Sequence, residues 1–350
     1  MLSEIIHIME YTLYIYLSVS VGYIVLFSAA SHFFKQKKYP ATTVRQRFII
    51  LVPAYKEDAV IHACVTSVLR QTYPAELYDL IVISDHMRPE TNASLRKERI
   101  GLIELHEKES SKAKALRIAA ETITDQPYDY VLILDADNLI SPCYLQELNK
   151  AVSQGIKAIQ THRKAKNMNT DIARWFVRNI IHTHSTGEDK ELEELLLRQG
   201  IHIEYIDTLE TLDEKVRQPD ALRNQRRRWI ATQLFLALKM GRNLPTALLN
   251  GNGDYLLKTL QAFIAPRSIL LALIGFFSCV LCIFSPASSI KWWILLILLN
   301  GALYLAIPSN MRYKYMSRIL RQTPYFVIIM LLNLFHLKGM AQKFNHTQHG

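Results

Sequence analysis

Apolar residues in this chain fall into long runs and short runs, and the two predict different elements. The longest run, Tyr11 to Phe34, holds about 24 residues with no Asp, Glu, Lys or Arg. It is long enough to cross a bilayer as a helix. It is too long for a signal-peptide core, no basic segment precedes it, and no small-residue cleavage site follows. Two more long runs, Ser268 to Ser289 and Trp292 to Pro308, are joined by a short link around Lys291 and predict a helical hairpin. Tyr325 to Leu337 is apolar over only about 13 residues. It reads as an interfacial or re-entrant helix, or as a strained fourth span.

Between the long runs the pattern alternates. RFIILVP (47–53) reads as a buried strand and Asp58 to Arg70 as a helix. Strand YDLIVIS (78–84) precedes helix Pro89 to Glu98, and strand IGLIEL (100–105) precedes helix Lys112 to Thr122. YVLIL (130–134) is a fourth strand. Ser141-Pro142 looks like an N-cap with proline at the first helical position, opening a helix to about Ser153. KAIQT (157–161) reads as a fifth strand. Strand–helix alternation predicts an α/β domain with a mostly parallel sheet covered by helices. Ligands of such sheets bind beyond the carboxyl ends of the strands.

Charge orients this arrangement. Residues 1–10 contain no Lys or Arg, while Lys35, Lys37, Lys38, Arg45 and Arg47 follow the first run directly. Arg312, Lys314, Arg318 and Arg321 follow the last long run. The positive-inside rule then predicts a multi-pass protein of the cytoplasmic (inner) membrane, with the N-terminus outside and the α/β domain in the cytoplasm. The expected domains are a transmembrane helix at 1–34, a cytoplasmic domain at 35–240, an interfacial linker at 241–267 and a membrane region at 268–350.

Composition agrees: 50% hydrophobic and 21% charged residues suit a soluble part plus a few spans. A net charge of +10 suits membrane lipids or a nucleotide diphosphate. The basic residues sit beside the spans and no aromatic-basic strand platform appears, which argues against nucleic acid. The four cysteines give no disulfide framework, and Cys279 and Cys282 read as small packing residues in a span.

The chemistry concentrates at strand ends. The fourth strand runs into Asp135-Ala136-Asp137. Residues two apart on a strand point the same way, so the two carboxylates would sit side by side. They repel unless a cation lies between them, and a hard divalent ion shared with substrate phosphates is the usual solution. An ordinary strand end followed by a turn is the other reading. His162, Arg163 and Lys164 after the fifth strand read equally as a phosphate grip or a solvated edge. His182 and His184 have the spacing of a metal pair but no third ligand nearby, and read as loop residues.

Taken in order, these stretches resemble membrane-bound glycosyltransferases of family 2, which have the GT-A (nucleotide-diphospho-sugar transferase) fold, and in particular the cellulose and hyaluronan synthase branch. VPAYKED (52–58) matches the opening strand-loop, so the resemblance implies donor contacts from Pro53, Ala54, Tyr55 and Glu57. IVISDHM (81–87) places Asp85 at the base or ribose. SKAKAL (111–116) puts Lys112 at the family's lysine, with Ser111 and Ala113 where glycines are usual. DAD matches the D-x-D motif, implying Mg2+ or Mn2+ on Asp137 and Asp135, or Asp135 on the ribose or donor sugar. GED (187–189) and QRRRW (225–229) match the T-E-D and Q-x-x-R-W motifs.

The resemblance implies transfer of a sugar from a UDP-type donor to a glycan or lipid-linked acceptor, with inversion. Asp189 would be the general base and Glu188 its neighbour, although GEDKELEELLLRQG is also a good amphipathic helix with acids in its first turn. Gln225, Arg228 and Trp229 share a helix face by spacing. Arg228 would pair with diphosphate and Trp229 stack on the acceptor, while Arg226 and Arg227 meet lipid phosphates. One stretch departs from the family: only about two dozen residues separate Arg163 from Gly187, without the family's small-residue acceptor turn. Three readings follow, namely polysaccharide synthesis, single addition to a lipid-linked acceptor, or a non-catalytic nucleotide-sugar-binding subunit.

Overall fold

The structure, a computed structural model, describes residues 2–34, 37–106, 111–123, 127–165, 187–213 and 219–307. It divides into two compact units. Among the described residues, one comprises 37–224 and the other comprises 2–34 together with 225–307. The division falls inside a helix, upstream of the boundary at 240 that the sequence suggests.

The first unit is built on a four-stranded parallel sheet of order β3-β2-β1-β4: β1 is Phe48–Tyr55, β2 Tyr78–Asp85, β3 Gly101–Leu105 and β4 Tyr130–Ile133. The central strand β1 is apolar on both faces, as a doubly covered parallel strand must be. Its residues alternate between two cores. Phe48, Ile50, Val52 and Ala54 pack with Ile61, Cys64, Val65 and Val68 of α2 (Ile61–Leu69) and with Tyr144, Leu145 and Leu148 of α5 (Tyr144–Val152). Ile49 and Leu51 pack with Ala115 and Ala119 of α4 (Lys112–Ile123) on the other face. The short α3, Pro89–Leu95, follows β2.

The expected strands and helices up to 134 are present, with ends shifted by a few residues. Helix α5 starts at Tyr144 with Cys143 at its N-cap, so Ser141 and Pro142 lie in the turn before it. The fifth strand lies outside this sheet. It is β6, Ala158–Ala165, and belongs to a second, three-stranded sheet with β5 (Leu139–Ile140) and β7 (Ile203–Asp213), order β5-β7-β6. β6 runs parallel to β7 with an irregularity between Thr161 and His162, and β5 runs antiparallel to β7. Helix α6, Gly187–Arg198, precedes β7.

The second unit is helical. It contains α1 (Leu2–Ala30), α7 (Pro219–Arg242, from Gln225 onward), α8 (Leu244–Leu249), α9 (Gly253–Phe263), α10 (Arg267–Phe284) and α11 (Pro286–Leu305). Among the described residues, three stretches are long and apolar enough to cross a membrane: His7–Ala30, Arg267–Phe284 and Pro286–Leu305. The first ends four residues before the predicted Phe34, because Ser31–Phe33 already turn. Leu17, Val21 and Ile24 of α1, Leu270 and Ile274 of α10, and Trp292, Leu295, Leu299 and Ala302 of α11 form its core. Outward residues such as Ile15, Val19, Leu26 and Ile297 are exposed.

The hairpin turn differs from the sequence reading. It lies at Ser285, with Pro286 at the first helical turn of α11, where its missing N–H costs nothing. Lys291 is therefore inside the helix. Its Nζ lies 2.9 and 3.1 Å from the two carboxylate oxygens of Glu10 in α1. It also lies 4.0 and 4.9 Å from the ring centroids of Tyr11 and Tyr14. Trp292 Nε1 donates to the same carboxylate at 2.8 Å. The interfacial linker of 241–267 is largely helical, as α8 and α9. The segment Tyr325–Leu337 and residues His182 and His184 lie outside the described residues.

Candidate donor-sugar site

The chain order of the first sheet creates the site. β1, β2 and β3 step outward in one direction, and β4 then returns to the other side of β1. Where the direction reverses, neighbouring connections diverge and leave a crevice at the carboxyl ends. Pro53, Ala54 and Tyr55 lie at the end of β1, paired with Ile83, Ser84 and Asp85 of β2. Asp135 and Asp137 follow β4.

Both central strands leave the sheet through a left-handed residue. Lys56 has φ 54° and His86 has φ 55°, uncommon for residues other than glycine. The Lys56 N–H donates to the Asp85 carbonyl at 3.1 Å, so the two turns are tied together. Buried Asp85 places Oδ1 2.5 Å from His86 Nδ1. Glu57 is half-buried and accepts, through its main-chain carbonyl, from the N–H groups of Val60 and Ile61 at the entry to α2. Asp58 reaches across to the start of α3, where its Oδ1 accepts from the Arg88 N–H at 2.9 Å and the Thr91 hydroxyl at 2.7 Å. Burial alone would raise the Asp58 carboxyl; the Thr91 and Arg88 hydrogen bonds and the Arg88 charge outweigh it and hold the carboxyl below its ordinary value.

Asp135 is the junction of the site. Its Oδ1 receives Lys112 Nζ, from the first turn of α4, at 2.7 Å. Its Oδ2 lies 3.2 Å from Arg163 Nη1 on β6. One carboxylate therefore gathers a cation from helix α4 and another from the second sheet. The strand end beneath it is fixed by the Leu134 N–H on the Leu51 carbonyl at 3.0 Å. The Cys64 thiol reaches the Asp135 carbonyl at 3.8 Å. Asn138, in the amide orientation that satisfies both neighbours, donates to Asp137 Oδ1 at 3.3 Å and accepts from the Asp135 N–H at 3.2 Å. Asp137 is 8% exposed.

Arg163 is aimed by its strand. Thr161, two residues before it and on the same face, meets the Tyr144 hydroxyl at 3.0 Å, and both hydroxyls meet Thr211 of β7 at 3.3 and 3.2 Å. Burial pushes the Tyr144 phenol up, so it stays a neutral hydroxyl. His162 points away from this face. Its Nδ1 lies 2.7 Å from the Tyr205 hydroxyl and 2.8 Å from Asp207 Oδ1, and burial with the Asp207 charge pushes the Tyr205 phenol up to about 12.

The structure thus brings Pro53, Ala54, Tyr55, Glu57, Asp85, Lys112, Asp135 and Asp137 to one edge of the first unit. Glu188 and Asp189 lie in the first turn of α6. Gln225, Arg228 and Trp229 lie on α7 in the helical unit. His86 and Asn138 were not singled out from the sequence, although each adjoins a carboxylate that was. Among the described residues, no cluster of three or more His, Cys, Asp or Glu side chains could hold a metal ion by itself.

Two protein-family models match the chain: "Glycosyltransferase like family 2" over 45–184 and "Glycosyl transferase family group 2" over 166–307. No curated protein matches. Among solved structures, the mannosyltransferase PcManGT from Pyrobaculum calidifontis, in complex with GDP-Man and Mn2+, is 17% identical with a TM-score of 0.50. The match covers 84% of this chain and 98% of that one. S. aureus TarS 1–349 is 13% identical, TM-score 0.42, over 85% of this chain and 90% of that one. Glucosyl-3-phosphoglycerate synthase from Mycobacterium tuberculosis, with Mn2+, UDP and phosphoglyceric acid, is 17% identical, TM-score 0.40, over 54% and 78%. The fold is GT-A-like, an α/β domain with a parallel central sheet accompanied by long apolar helices. The chain belongs to glycosyltransferase family 2.

Proposed function

We propose that the protein is a glycosyltransferase of the cytoplasmic membrane that moves a sugar, with inversion, from a nucleotide-diphosphate donor to a glycan or lipid-linked acceptor. The observation that carries this reading is the Lys112–Asp135–Arg163 junction at the switch point of the sheet. Two cations around one carboxylate leave an excess of positive charge, which suits a diphosphate. The strand ends at Pro53–Tyr55 and Asp85 flank it, as a nucleoside pocket requires.

The residues fit a divalent ion in a limited way. Asp137 supplies one hard oxygen ligand, whereas both oxygens of Asp135 already meet cations. An ion that takes one or two carboxylates and completes its shell with donor phosphates and water is typical of Mg2+, and PcManGT was solved with Mn2+ beside GDP-Man. Such an ion, held by Asp137, supplies Lewis-acid stabilisation of the leaving diphosphate. Lys112 and Arg163 stabilise the same charge through their own N–H groups. Asp135 fixes those two cations and faces the ribose or donor sugar. Asp189, with Glu188 beside it, takes the proton of the acceptor hydroxyl as that oxygen attacks the anomeric carbon. Arg228 and Trp229 keep the diphosphate and acceptor roles that their motif implies, with Gln225 on the same face.

The test is transfer from a panel of UDP- and GDP-sugars by the full chain in lipid, with Mg2+ or Mn2+. Transfer by the wild type that is lost in Asp189→Asn, with donor binding kept, is the expected result. Donor binding with no transfer from any sugar overturns the enzyme reading in favour of a binding subunit. Donor affinity in Asp137→Asn that still responds to Mn2+ overturns the metal ligand.

A further inference from the structure

Helix α7 carries Gln225, Arg228 and Trp229, and its next residue at helical spacing after Trp229 is Gln233. Residues four apart share a face. The Gln233 side chain does not turn to solvent. Its amide nitrogen donates to the Ala262 carbonyl at 3.3 Å and the Ile264 carbonyl at 2.7 Å. The carbonyl between them, of Phe263, accepts from the Tyr16 hydroxyl of α1 at 2.8 Å.

These three carbonyls belong to the turn where α9 ends and α10 begins after Pro266. The last carbonyls of a helix have no partner within it, and next to a bilayer an unanswered one is costly. Here three successive carbonyls take side-chain donors from two other helices. The approach is close as well. A Cβ built on Gly241 of α7 would lie 3.1 Å from the Phe263 ring, tighter than nearly all real contacts.

We propose that Gln233 is a positioning residue for glycosyl transfer. It fixes the axial and rotational setting of α7 against the turn that leads into the hairpin, while Tyr16 ties the first span to the same turn. The face bearing Gln225 and Trp229 is thereby held in register with the apolar helices. The assignment rests on the transferase role of that face. Only a donor serves at position 233: an isosteric carboxylate would set two acceptor oxygens against two carbonyls.

The test uses the full chain in lipid nanodiscs, as wild type, Gln233→Glu, Gln233→Ala and the milder Tyr16→Phe. Backbone hydrogen exchange is measured over 225–242 and 262–266, together with kcat and donor KM. Faster exchange confined to those stretches is expected in both Gln233 variants, with a smaller rise in Tyr16→Phe. A kcat loss of about 10- to 100-fold should accompany it, with donor KM within roughly twofold. Exchange unchanged in Gln233→Glu overturns the joint. Faster exchange with unchanged kcat overturns the positioning role. A wild type that transfers no sugar defeats the proposed function instead, and the exchange data still decide the joint.

Discussion

In the sheet-bearing unit, Asp135 draws Lys112 from α4 and Arg163 from β6, and Asp58 reaches from the end of β1 to the start of α3. In the helical unit the buried hydroxyls of Ser20, Thr259 and Ser278 each donate to the carbonyl four residues back, within their own helix. The first arrangement spends charged groups on contacts between distant elements, at the carboxyl edge of the sheet. The second settles polar groups locally and leaves the helix surface apolar, as lipid requires. Among the described residues of the helical unit, the exceptions are Glu10 with Lys291, and the Gln233 and Tyr16 side chains on the turn before α10, each of which joins separate helices. Long-range polar contacts therefore mark what must be held for function or assembly, and local ones what must be hidden.

Substitutions can break this contrast, and the largest effect is expected at its sharpest point. Asp135→Ala removes the shared partner of two cations and should lower transfer by about 100- to 1,000-fold, measured as kcat/KM for the donor. Loss of under tenfold would mean that Lys112 and Arg163 hold their places without it. Next comes Glu10→Ala. It leaves Lys291 with only the aromatic faces and Trp292 without an acceptor, and should cost about 2 kcal/mol, read as a fall in Tm in nanodiscs. An unchanged Tm would reduce the pair to a bystander.

Asp58→Ala should cost about 1–2 kcal/mol, since it strips the Arg88 N–H and Thr91 of their acceptor. Its pH signature has a definite sign. The folded-state value lies below the ordinary carboxylate value, so the contribution is full above that ordinary value and fades as pH falls through the lower folded one. Acid unfolding curves of wild type and variant should converge in that window; parallel curves would reassign the acid sensitivity. The smallest effect is expected for Ser278→Ala, at most about 0.6 kcal/mol, because the lost bond is local and the methyl suits its apolar surroundings.

Much of the first sheet was legible because β1 and β2 are largely buried, and these strands and the partly exposed β4 read as apolar runs with turn residues at their ends. Asp135 and Asp137 stand out for the same reason: two carboxylates directly follow an apolar run. Strand β7 was not. IEYIDTLETLD mixes polar and apolar residues, and its pairing slips beside Thr161 and His162, which blurs a period of two. Without β7 the second sheet was invisible, so Arg163 could not be separated from a solvated edge. Lys291 misled because a lone charge between two apolar runs reads as a link; its partner lies 281 residues away, beyond any local pattern.

That separation sets an order in time. The first span leaves the ribosome carrying Glu10, and Lys291 is not yet made. At about 5–20 residues per second, the wait is roughly 15–60 s. During it the Glu10 carboxylate is without its Lys291 and Trp292 partners. Helix α1 thus gains the partners of Glu10 only once α11 has been made.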